Sequence, residues 1–282
     1  MKSQQDVVRI HQSLESGRLF ELQGDNIVEE IHRERYKMAG TYCSGKKVLD
    51  IATGIGYGAY LLATSGRAST VVGVDVSDEA INAAANAYQA PNLHFQKIEG
   101  EPIPFEDASF DAVVSLETIE HTADERAFLL DLNRVLKPGG DLIISTPNKR
   151  FHSWGKERPW NPHHTVEFYP EQFLVLILDV FGKPVFWGGQ EFLPLGLRTT
   201  IKYNWVEIQY YELRHHPRRK KLFDKLIGLK HALVFEKNNN RGIAVNPKEI
   251  PLELIDNRCR VVPWIDNLEP YTMVAVCRKE SN

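Results

Sequence analysis

From residue 47 onward, short apolar runs alternate with longer segments whose apolar residues recur every three or four positions. The runs have the length of buried strands, and the longer segments have the periodicity of amphipathic helices. The pattern predicts strands near residues 47–51, 71–75, 93–97, 111–116 and 141–146, and helices near residues 57–65, 78–89 and 124–136. Strands that alternate with helices indicate a parallel sheet with right-handed crossovers, which is an α/β fold.

Two further strands are predicted beyond a long connecting segment. Residues 147–169 are predicted as a loop, and a loop of this length is usually functional or disordered. The aromatic side chains in it argue against disorder. Pro170 suits the first turn of a following helix, and apolar runs then predict strands at residues 183–187 and 271–277.

A helix is also predicted ahead of the first strand, over residues 26–39. Asn26, with Glu29 three residues later, has the spacing of a capping pair. Ile31 and Met38 can share one apolar stripe of this helix. The helix would therefore pack one face on the sheet domain.

Residues suited to holding a ligand fall at the carboxyl ends of the predicted strands. Gly54, Asp75 and Glu99 follow the first three strands, and Leu116 and Pro147 end the fourth and fifth. In parallel sheets these ends lie at one edge, and ligands bind there near the point where the strand order reverses. The sequence therefore predicts one shared ligand site.

A glycine-spaced turn follows the first strand as Gly54-x-Gly56-x-Gly58, and Asp75 stands 25 positions after Asp50. The dinucleotide fingerprint spaces its third glycine differently, which disfavours an NAD-dependent oxidoreductase. A phosphate-binding loop would need Gly-Lys-Ser/Thr, which is absent. Asp50 would repel a pyrophosphate but tolerate a cationic or zwitterionic ligand. The pattern favours a nucleoside cofactor whose ribose hydroxyls bind Asp75.

Several segments resemble motifs of one family. Asp50-Ile-Ala-Thr-Gly-Ile-Gly56 resembles the first motif of the class I S-adenosylmethionine-dependent methyltransferases, and Asp75 matches the acid that ends their second strand. Four more segments resemble the same family, namely residues 109–115, 120–121, 134–140 and 145–148. The resemblance extends over residues 26–190.

The resemblance implies a Rossmann-like sheet of seven strands, mostly parallel, with helices on both faces and an antiparallel last strand. The implied domains are an N-terminal lid segment at residues 1–40, a cofactor-binding core at 41–190, an insertion at 191–269 and the final core strand at 270–282. We expect the insertion to serve substrate binding or oligomerisation. Its basic run at residues 214–221 is interpreted as a solvated helix end, and binding of a phosphorylated or lipid-diphosphate-linked substrate or of a membrane surface stays open as the alternative.

The resemblance also implies S-adenosylmethionine as cofactor and S-adenosylhomocysteine as product. The residues expected to line the cofactor site are Tyr36, Asp50, Ala52, Thr53, Gly54, Gly56, Asp75, Val76, Glu99, Gly100, Leu116 and Glu117. Asp75 is expected to accept hydrogen bonds from both ribose hydroxyls. Val76 is expected to pack on the adenine, and Glu99 to meet its amino group.

Two expectations concern the rim of this site. In related methyltransferases a helix before the first strand covers the cofactor, so Arg35 and Tyr36 are expected near its methionine moiety. Ala52 stands where the family has its first glycine. Because alanine is small, we expect the turn to keep φ below zero at this position.

Methyl transfer to a hydroxyl needs a group that removes the hydroxyl proton, and histidine titrates near neutral pH. His121 follows Glu120 just past the fourth strand, on the site side of the sheet. His163 and His164 lie in the long loop, with Glu167 close enough in sequence to orient one of them. We predict that His121, His163 or His164 is the general base.

A finer resemblance bears on the acceptor. Asn161-Pro-His-His-x-x-Glu167-Phe resembles a segment of bacterial methyltransferases encoded with glycan-assembly enzymes, and Ile31-His-x-x-Arg-Tyr36 and Gly189-Gln190 strengthen that match. The resemblance implies O-methylation of a sugar or glycan precursor. The partner would then be a small-molecule acceptor, including a sugar linked to a nucleotide or a lipid, and a homo-oligomer stays open.

Composition narrows the remaining classes. The chain has 282 residues, 43% hydrophobic content and a formal net charge of −3, which suits one large domain with or without an appendage and gives no general attraction to nucleic acid. The three cysteines form no metal spacing and indicate a reducing compartment. No apolar run reaches the ~18 residues of a membrane span. We expect a cytoplasmic protein without nucleic-acid partners or stable membrane insertion.

We predict no metal site, because no ligand spacing is diagnostic. Asp50, Glu117, Glu120 and Asp124 are nevertheless available to a metal-assisted mechanism, so that alternative stays open. N-methylation or C-methylation of another small molecule is a second alternative. A catalytically inactive scaffold that binds the cofactor is a third, although the intact glycine turn counts against it.

Overall fold

The computed structural model describes residues 26–153, 158–159, 161–190, 261–263 and 270–281. The described strands are β1 Lys47–Ile51, β2 Thr70–Asp75, β3 Leu93–Lys97, β4 Phe110–Leu116, β5 Leu136–Pro147, β6 Phe186–Gln190, β7 Val261–Pro263 and β8 Thr272–Arg278. The described helices are α1 Asn26–Gly40, α2 Tyr57–Ala63, α3 Asp78–Ala87, α4 Glu125–Val135, α5 Lys149–His152 and α6 Pro170–Phe181, with a 3-10 turn at Ile119–His121.

The helices begin where the sequence supplies capping side chains. Ser77 Oγ accepts a hydrogen bond from the Ala80 backbone N–H at 3.2 Å, and Asp124 Oδ1 accepts one from the Ala127 N–H at 2.9 Å. Both caps satisfy backbone donors that the first turn of a helix leaves without a partner. Pro170 occupies the first turn of α6, as predicted.

All described strands form one sheet in the order β3-β2-β1-β4-β5-β8-β6-β7. The first five strands pair in parallel, and β8 is antiparallel to both of its neighbours, β5 and β6. The predicted Rossmann-like, mostly parallel sheet with an antiparallel last strand is therefore confirmed. An additional short strand, β7, pairs antiparallel with β6, and it arises within the segment predicted as an insertion.

The sheet separates two apolar cores, because successive residues of a strand point to opposite faces. Leu49 belongs to the core that α4 and α6 cover, and Val48 belongs to the core beneath α1 and α2. Leu132 of α4 and Leu62 of α2 are both fully buried. The amphipathic stripes read from the sequence therefore face the sheet from both sides.

Strand order reverses between β2 and β4, which lie on either side of β1. The carboxyl ends of these strands carry the residues predicted for the ligand site, and ligands bind at such a reversal in doubly wound sheets. The 147–169 segment also returns to this edge. The prediction that this whole segment is a loop is wrong. Helix α5 forms near its start, and Asn148 and Phe168 form a parallel β-bridge.

The described residues belong to one compact unit of the chain. Most of the predicted insertion, including its basic run, lies outside the described residues, and the predicted domain limits stay predictions. None of the helices that the structure describes has the length and apolar character needed to cross a bilayer.

Candidate functional site

The turn after β1 uses left-handed backbone at three positions. Ala52 and Gly54 each have φ 55°, and Gly56 has φ 85°. The expectation that Ala52 keeps φ below zero is wrong. The Thr53 N–H donates to the Val74 carbonyl at 2.9 Å, which ties the turn to β2, so the tertiary contact fixes a conformation that costs an L-residue roughly 1–2 kcal/mol.

Two glycines of this turn are required by close packing. A Cβ on Gly56 would lie 2.6 Å from both the Ala84 Cβ and the Phe95 ring. A Cβ on Gly58 would lie 2.0 Å from the Tyr36 ring. Gly58, the third glycine of the motif, therefore allows α1 to pack closely against α2. The spacing of the glycines in the sequence did not indicate this role.

Asp50 is a fully buried carboxylate at the end of β1. Its side chain accepts hydrogen bonds from Thr53 Oγ1 at 2.6 Å and from the Tyr36 hydroxyl at 3.2 Å. Burial raises the pKa of Asp50 to about 7, against the lowering effect of these hydrogen bonds and with a small contribution from Asp75. Near neutral pH the carboxyl is poised between its two forms, so a cation at this edge would favour the ionised one.

Asp75 joins the two halves of the turn through backbone donors. Its Oδ2 accepts from the Gly54 N–H and its Oδ1 from the Ser77 N–H, both at 3.0 Å. A carboxylate has about four acceptor sites, so both oxygens retain capacity for ligand hydroxyls. The predicted ribose-binding role of Asp75 is compatible with this geometry.

The predicted adenine side of the site is open. Val76 is 40% exposed, which is high for a valine and leaves an apolar surface at the end of β2. The Glu99 side chain is 90% exposed and pairs with Lys97 at 3.2 Å. Gly100 follows with φ 113°. Glu99 is one of the predicted cofactor residues, but its described side-chain contact is with Lys97 and not with Asp50 or Asp75.

The end of β4 carries a second strained residue. Glu117 has φ 53°, and its Oε1 accepts from Ser145 Oγ at 2.8 Å. Its backbone N–H also donates to the Ser145 carbonyl at 3.1 Å. Leu116, directly before it, is buried. Backbone strain of this kind persists where surrounding contacts fix it, and it is common at functional sites.

The 3-10 turn after β4 and the long segment bring the predicted histidines together. His121 Nδ1 lies 2.9 Å from the His163 carbonyl oxygen, to which it donates. The His121 and His164 rings have centroids 4.8 Å apart. His163 is exposed, and its backbone carbonyl belongs to this arrangement.

Glu120 is buried beside these histidines. Its Oε2 accepts from Thr146 Oγ1 at 3.0 Å, and its backbone carbonyl accepts from the Thr165 N–H at 2.8 Å. Burial raises the pKa of Glu120 well above its ordinary value, and the nearby Glu117 carboxylate adds to the rise. Glu120 and Glu117 thus connect the histidine cluster to the end of β4.

Glu167 orients two histidines, as the sequence had suggested for one. His164 Nδ1 donates to Glu167 Oε1 at 2.8 Å, and His152 Nδ1 donates to the same oxygen at 3.1 Å. Ser153 Oγ donates to the other oxygen. Burial alone raises the pKa of Glu167, but the hydrogen bonds from His152 and His164 outweigh it and lower the pKa to about 2. Glu167 is therefore anionic across the physiological range.

His164 is held on both sides. Asn161 Nδ2 lies 3.0 Å from His164 Nε2, and an amide NH₂ can only donate there. With Nδ1–H donating to Glu167, the tautomer that satisfies both contacts carries its lone pair on Nε2. The sequence analysis did not predict roles for His152 and Ser153. His152 ends the short helix α5 and Ser153 is its C-cap, in a segment predicted as a loop.

Arg35 of α1 lies in an unusual environment. It is 2% exposed, and its Nη1 donates to Gln190 Oε1 at 2.7 Å and to Thr272 Oγ1 at 3.4 Å. Its Nε and Nη2 atoms are buried without a hydrogen-bond partner. A buried guanidinium with donors left over is costly unless an anionic group joins it. Arg35 is therefore a candidate ligand contact.

The known proteins to which this chain is similar include methyltransferases. Residues 49–144 match the model of a methyltransferase domain. A probable S-adenosylmethionine-dependent methyltransferase of Mycolicibacterium smegmatis is 34% identical over 146 residues, which are 52% of this chain and 55% of that protein. A fatty-acid O-methyltransferase of the same organism is 33% identical over 107 residues, which are 38% and 39% of the two chains. The matched part thus spans about half of these relatives, or less.

The fold has solved counterparts as well. The structure of an S-adenosylmethionine-dependent methyltransferase from Thermotoga maritima has a TM-score of 0.52 at 17% identity, and the match covers 89% of this chain and 91% of that chain. At this identity the likeness shows the fold alone. The match of residues 49–144 to a methyltransferase domain and the relatives named S-adenosylmethionine-dependent methyltransferases support a class I S-adenosylmethionine-dependent methyltransferase, with S-adenosylmethionine as its cofactor.

Proposed function

We propose that this chain is an S-adenosylmethionine-dependent O-methyltransferase that methylates a hydroxyl of a sugar or glycan precursor, with a histidine as general base. The observation that carries the proposal is the 2.8 Å contact between His164 and the Glu167 carboxylate, beside the strand ends that form the cofactor site. Methyl transfer to a hydroxyl requires a general base, an anion that orients the base, and a cofactor site close to both.

The chemistry places modest demands on the protein. The acceptor oxygen attacks the sulfonium methyl in line, the methyl–sulfur bond breaks, and the sulfur leaves as a neutral thioether. The leaving group needs no proton, so the chain's own work is to align the two reactants and exclude water. A hydroxyl acceptor must also lose its proton as the new bond forms, and that proton needs a base within hydrogen-bond reach.

His164 has the best-supported position among the three predicted bases. Its Nδ1–H is fixed by Glu167, so Nε2 carries the lone pair that accepts a proton. Glu167, with a pKa of about 2, stays anionic and stabilises the imidazolium that results. Asn161, which now donates to Nε2, marks the place where an acceptor hydroxyl would donate instead.

Two observations support oxygen and a sugar as the acceptor. The relative named a fatty-acid O-methyltransferase transfers to oxygen. The finer resemblance to glycan-associated methyltransferases rests partly on the Arg35 and Gln190 segments, and these two side chains hydrogen-bond to each other at 2.7 Å. Two segments that match the same group of proteins and also contact each other support a common function. Matches scattered over the fold would support it less.

The test is formation of S-adenosylhomocysteine with a panel of sugars, nucleotide-linked sugars and lipid-linked sugars. Mass spectrometry of the products identifies the methylated atom. We expect His164→Ala to keep S-adenosylmethionine affinity and to lower turnover by ~10²-fold or more, with His121→Ala and His163→Ala tested in parallel. His94→Ala, an exposed histidine on β3, is the matched control and should keep full activity.

The alternatives give different outcomes. Unchanged turnover in all three variants would rule out a histidine base. A product methylated at nitrogen or carbon would favour another acceptor class. Cofactor binding without turnover on any acceptor would favour an inactive scaffold.

A further inference from the structure

The histidine cluster contains more ligand atoms than a general base needs. Glu120, His121 and His164 each offer one atom to a shared centre, and these three atoms lie within 4.8 Å of one another. His152, His164 and Glu167 form a second group of the same kind, which shares His164. The members come from the 3-10 turn, from α5 and from the long segment, so no local sequence spacing reveals them.

The hydrogen bonds around the first group are those of preoriented metal ligands. His121 donates its Nδ1–H to a backbone carbonyl, that of His163, at 2.9 Å, and His164 donates its Nδ1–H to the Glu167 carboxylate at 2.8 Å. Histidines that bind metals usually donate their other ring N–H to a carbonyl or a carboxylate in this way. With Nδ1–H donating in both rings, Nε2 is the ring nitrogen that carries the lone pair.

The third member completes a recognised ligand set. The Glu120 carboxylate is 1% exposed and its Oε2 is held by Thr146 at 3.0 Å. Two imidazole nitrogens and one carboxylate oxygen form a common set for zinc and for other divalent first-row metals, with positions left for water or substrate. Magnesium and calcium prefer oxygen ligands and would not use the imidazoles.

We infer that Glu120, His121 and His164 bind one divalent transition-metal ion of the zinc class. Ligand atoms about 2.1 Å from a tetrahedral metal are separated by roughly 3.4 Å, and the three side chains already place their ligand atoms within 4.8 Å of one another. Asn161 would release His164 Nε2 when the metal binds, while Glu167 and His152 would form the outer shell. The inference stands on this geometry and does not depend on the acceptor.

The consequence for methyl transfer does rest on the proposed function. A coordinated Nε2 cannot accept a proton, so a bound ion should lower turnover if His164 is the base. Higher turnover with zinc would mean that the metal ion, rather than His164, prepares the acceptor. That result would overturn the histidine base and leave the metal site intact.

Binding is tested on the full chain after treatment with a chelator. Calorimetric titration with zinc chloride should show a site that is weakened by at least about 100-fold in His164→Ala and His121→Ala, and by about 10- to 100-fold in Glu167→Gln. His94→Ala should bind as the wild type does. With cobalt chloride the visible spectrum should show the bands of a nitrogen- and oxygen-coordinated ion, and these should be lost in the same two alanine variants.

Folding is followed separately, so that loss of the site is not confused with loss of structure. Circular dichroism and S-adenosylmethionine affinity should be unchanged in His121→Ala and His164→Ala. Glu120→Gln keeps the volume of the buried side chain and should also weaken zinc. If all of these variants bind zinc with wild-type affinity and stoichiometry, the metal site is wrong.

Discussion

Asp50 is the predicted cofactor residue whose charge we expect to respond most directly to S-adenosylmethionine. Its carboxyl is buried between Thr53 and Tyr36, and burial raises its pKa to about 7. S-adenosylmethionine carries a sulfonium charge that S-adenosylhomocysteine lacks. Since a nearby cation favours the ionised carboxylate, the cofactor should bind more tightly when Asp50 has lost its proton.

The first prediction is that S-adenosylmethionine affinity rises as the pH rises through about 7, and that Asp50→Asn abolishes this dependence. Calorimetry in two buffers with different ionisation enthalpies should show proton release on binding, larger for S-adenosylmethionine than for S-adenosylhomocysteine. The same proton release in Asp50→Asn would contradict the assignment.

Asp50 also affects the stability of the ligand-free chain, with a definite sign. Its folded pKa of about 7 lies above the ordinary value of 3.8. The stabilising contribution is therefore complete below about pH 4 and is lost as the pH rises through about 7. Asp50→Asn should accordingly raise the free energy of unfolding at pH 8 by roughly 1–4 kcal/mol, as measured by urea denaturation.

At the scale of elements, the contact between α1 and α2 holds α1 in place. Gly58 leaves room for the Tyr36 ring, whose hydroxyl then reaches Asp50 at 3.2 Å. The Tyr36 and Tyr57 rings meet edge to face at 5.7 Å. The absence of a Cβ at Gly58 thus lets Tyr36 of α1 pack against α2 and reach Asp50 near the end of β1.

The second prediction concerns Gly58→Ala. In an exposed helix this change would stabilise by up to about 1 kcal/mol, but here the added Cβ would lie 2.0 Å from the Tyr36 ring. We expect a net loss of about 1–2 kcal/mol in the free energy of unfolding and weaker S-adenosylmethionine binding.

The Tyr36→Ala background provides the control. With the ring removed, Gly58→Ala should become neutral or stabilising, because only its effect on helix propensity remains. Thermal denaturation of the two single variants and the double variant measures this coupling. Additive effects would mean that α1 does not rest on Gly58.

Elements differed in how well local sequence predicted them. The ends of β1 and β3 agree with the predicted ends. The predicted bounds of two other strands are wrong, because β5 begins five residues earlier than predicted and β6 lies three residues later. The short elements α5 and β7, with four and three residues, were not predicted. Such short segments have no room for a periodic pattern, and they form because a neighbouring strand or segment supplies their partners.

Across the whole molecule, Arg35 connects α1 to the strands β6 and β8. Its contacts with Gln190 of β6 and Thr272 of β8 join residues 155 and 237 positions apart. The guanidinium nevertheless retains two nitrogen atoms without partners in a buried place. We expect these donors to bind an anionic group of the ligand, such as the methionine carboxylate of the cofactor.

The third prediction is that Arg35→Met lowers S-adenosylmethionine affinity by at least about tenfold while the ligand-free chain keeps or gains stability, because a buried charge without full pairing costs free energy. Calorimetry and thermal denaturation measure the two effects. Lys37→Met, which removes an exposed charge from the same helix, is the matched control. A large loss of stability in Arg35→Met without loss of affinity would assign Arg35 a purely structural role.

The similarity to methyltransferases does not identify the acceptor, because one fold hosts many reactions and the acceptor is recognised by particular side chains. The predicted cytoplasmic location, the sugar acceptor and the oligomeric state stay predictions. The segment predicted as the insertion, residues 191–269, lies mostly outside the described residues. The substrate panel described above is therefore the experiment that identifies the acceptor.

The sequence by itself determined the alternation of strands and helices, the edge at which the ligand site lies, and the cofactor class. Apolar periodicity and turn residues act over a few positions, so they can be read locally. Only the tertiary structure decided that Tyr36 donates to Asp50, that Glu167 holds both His152 and His164, and that Ala52 adopts φ 55°. These features depend on where distant segments meet, because a buried donor or acceptor takes whichever partner the packed elements bring to it.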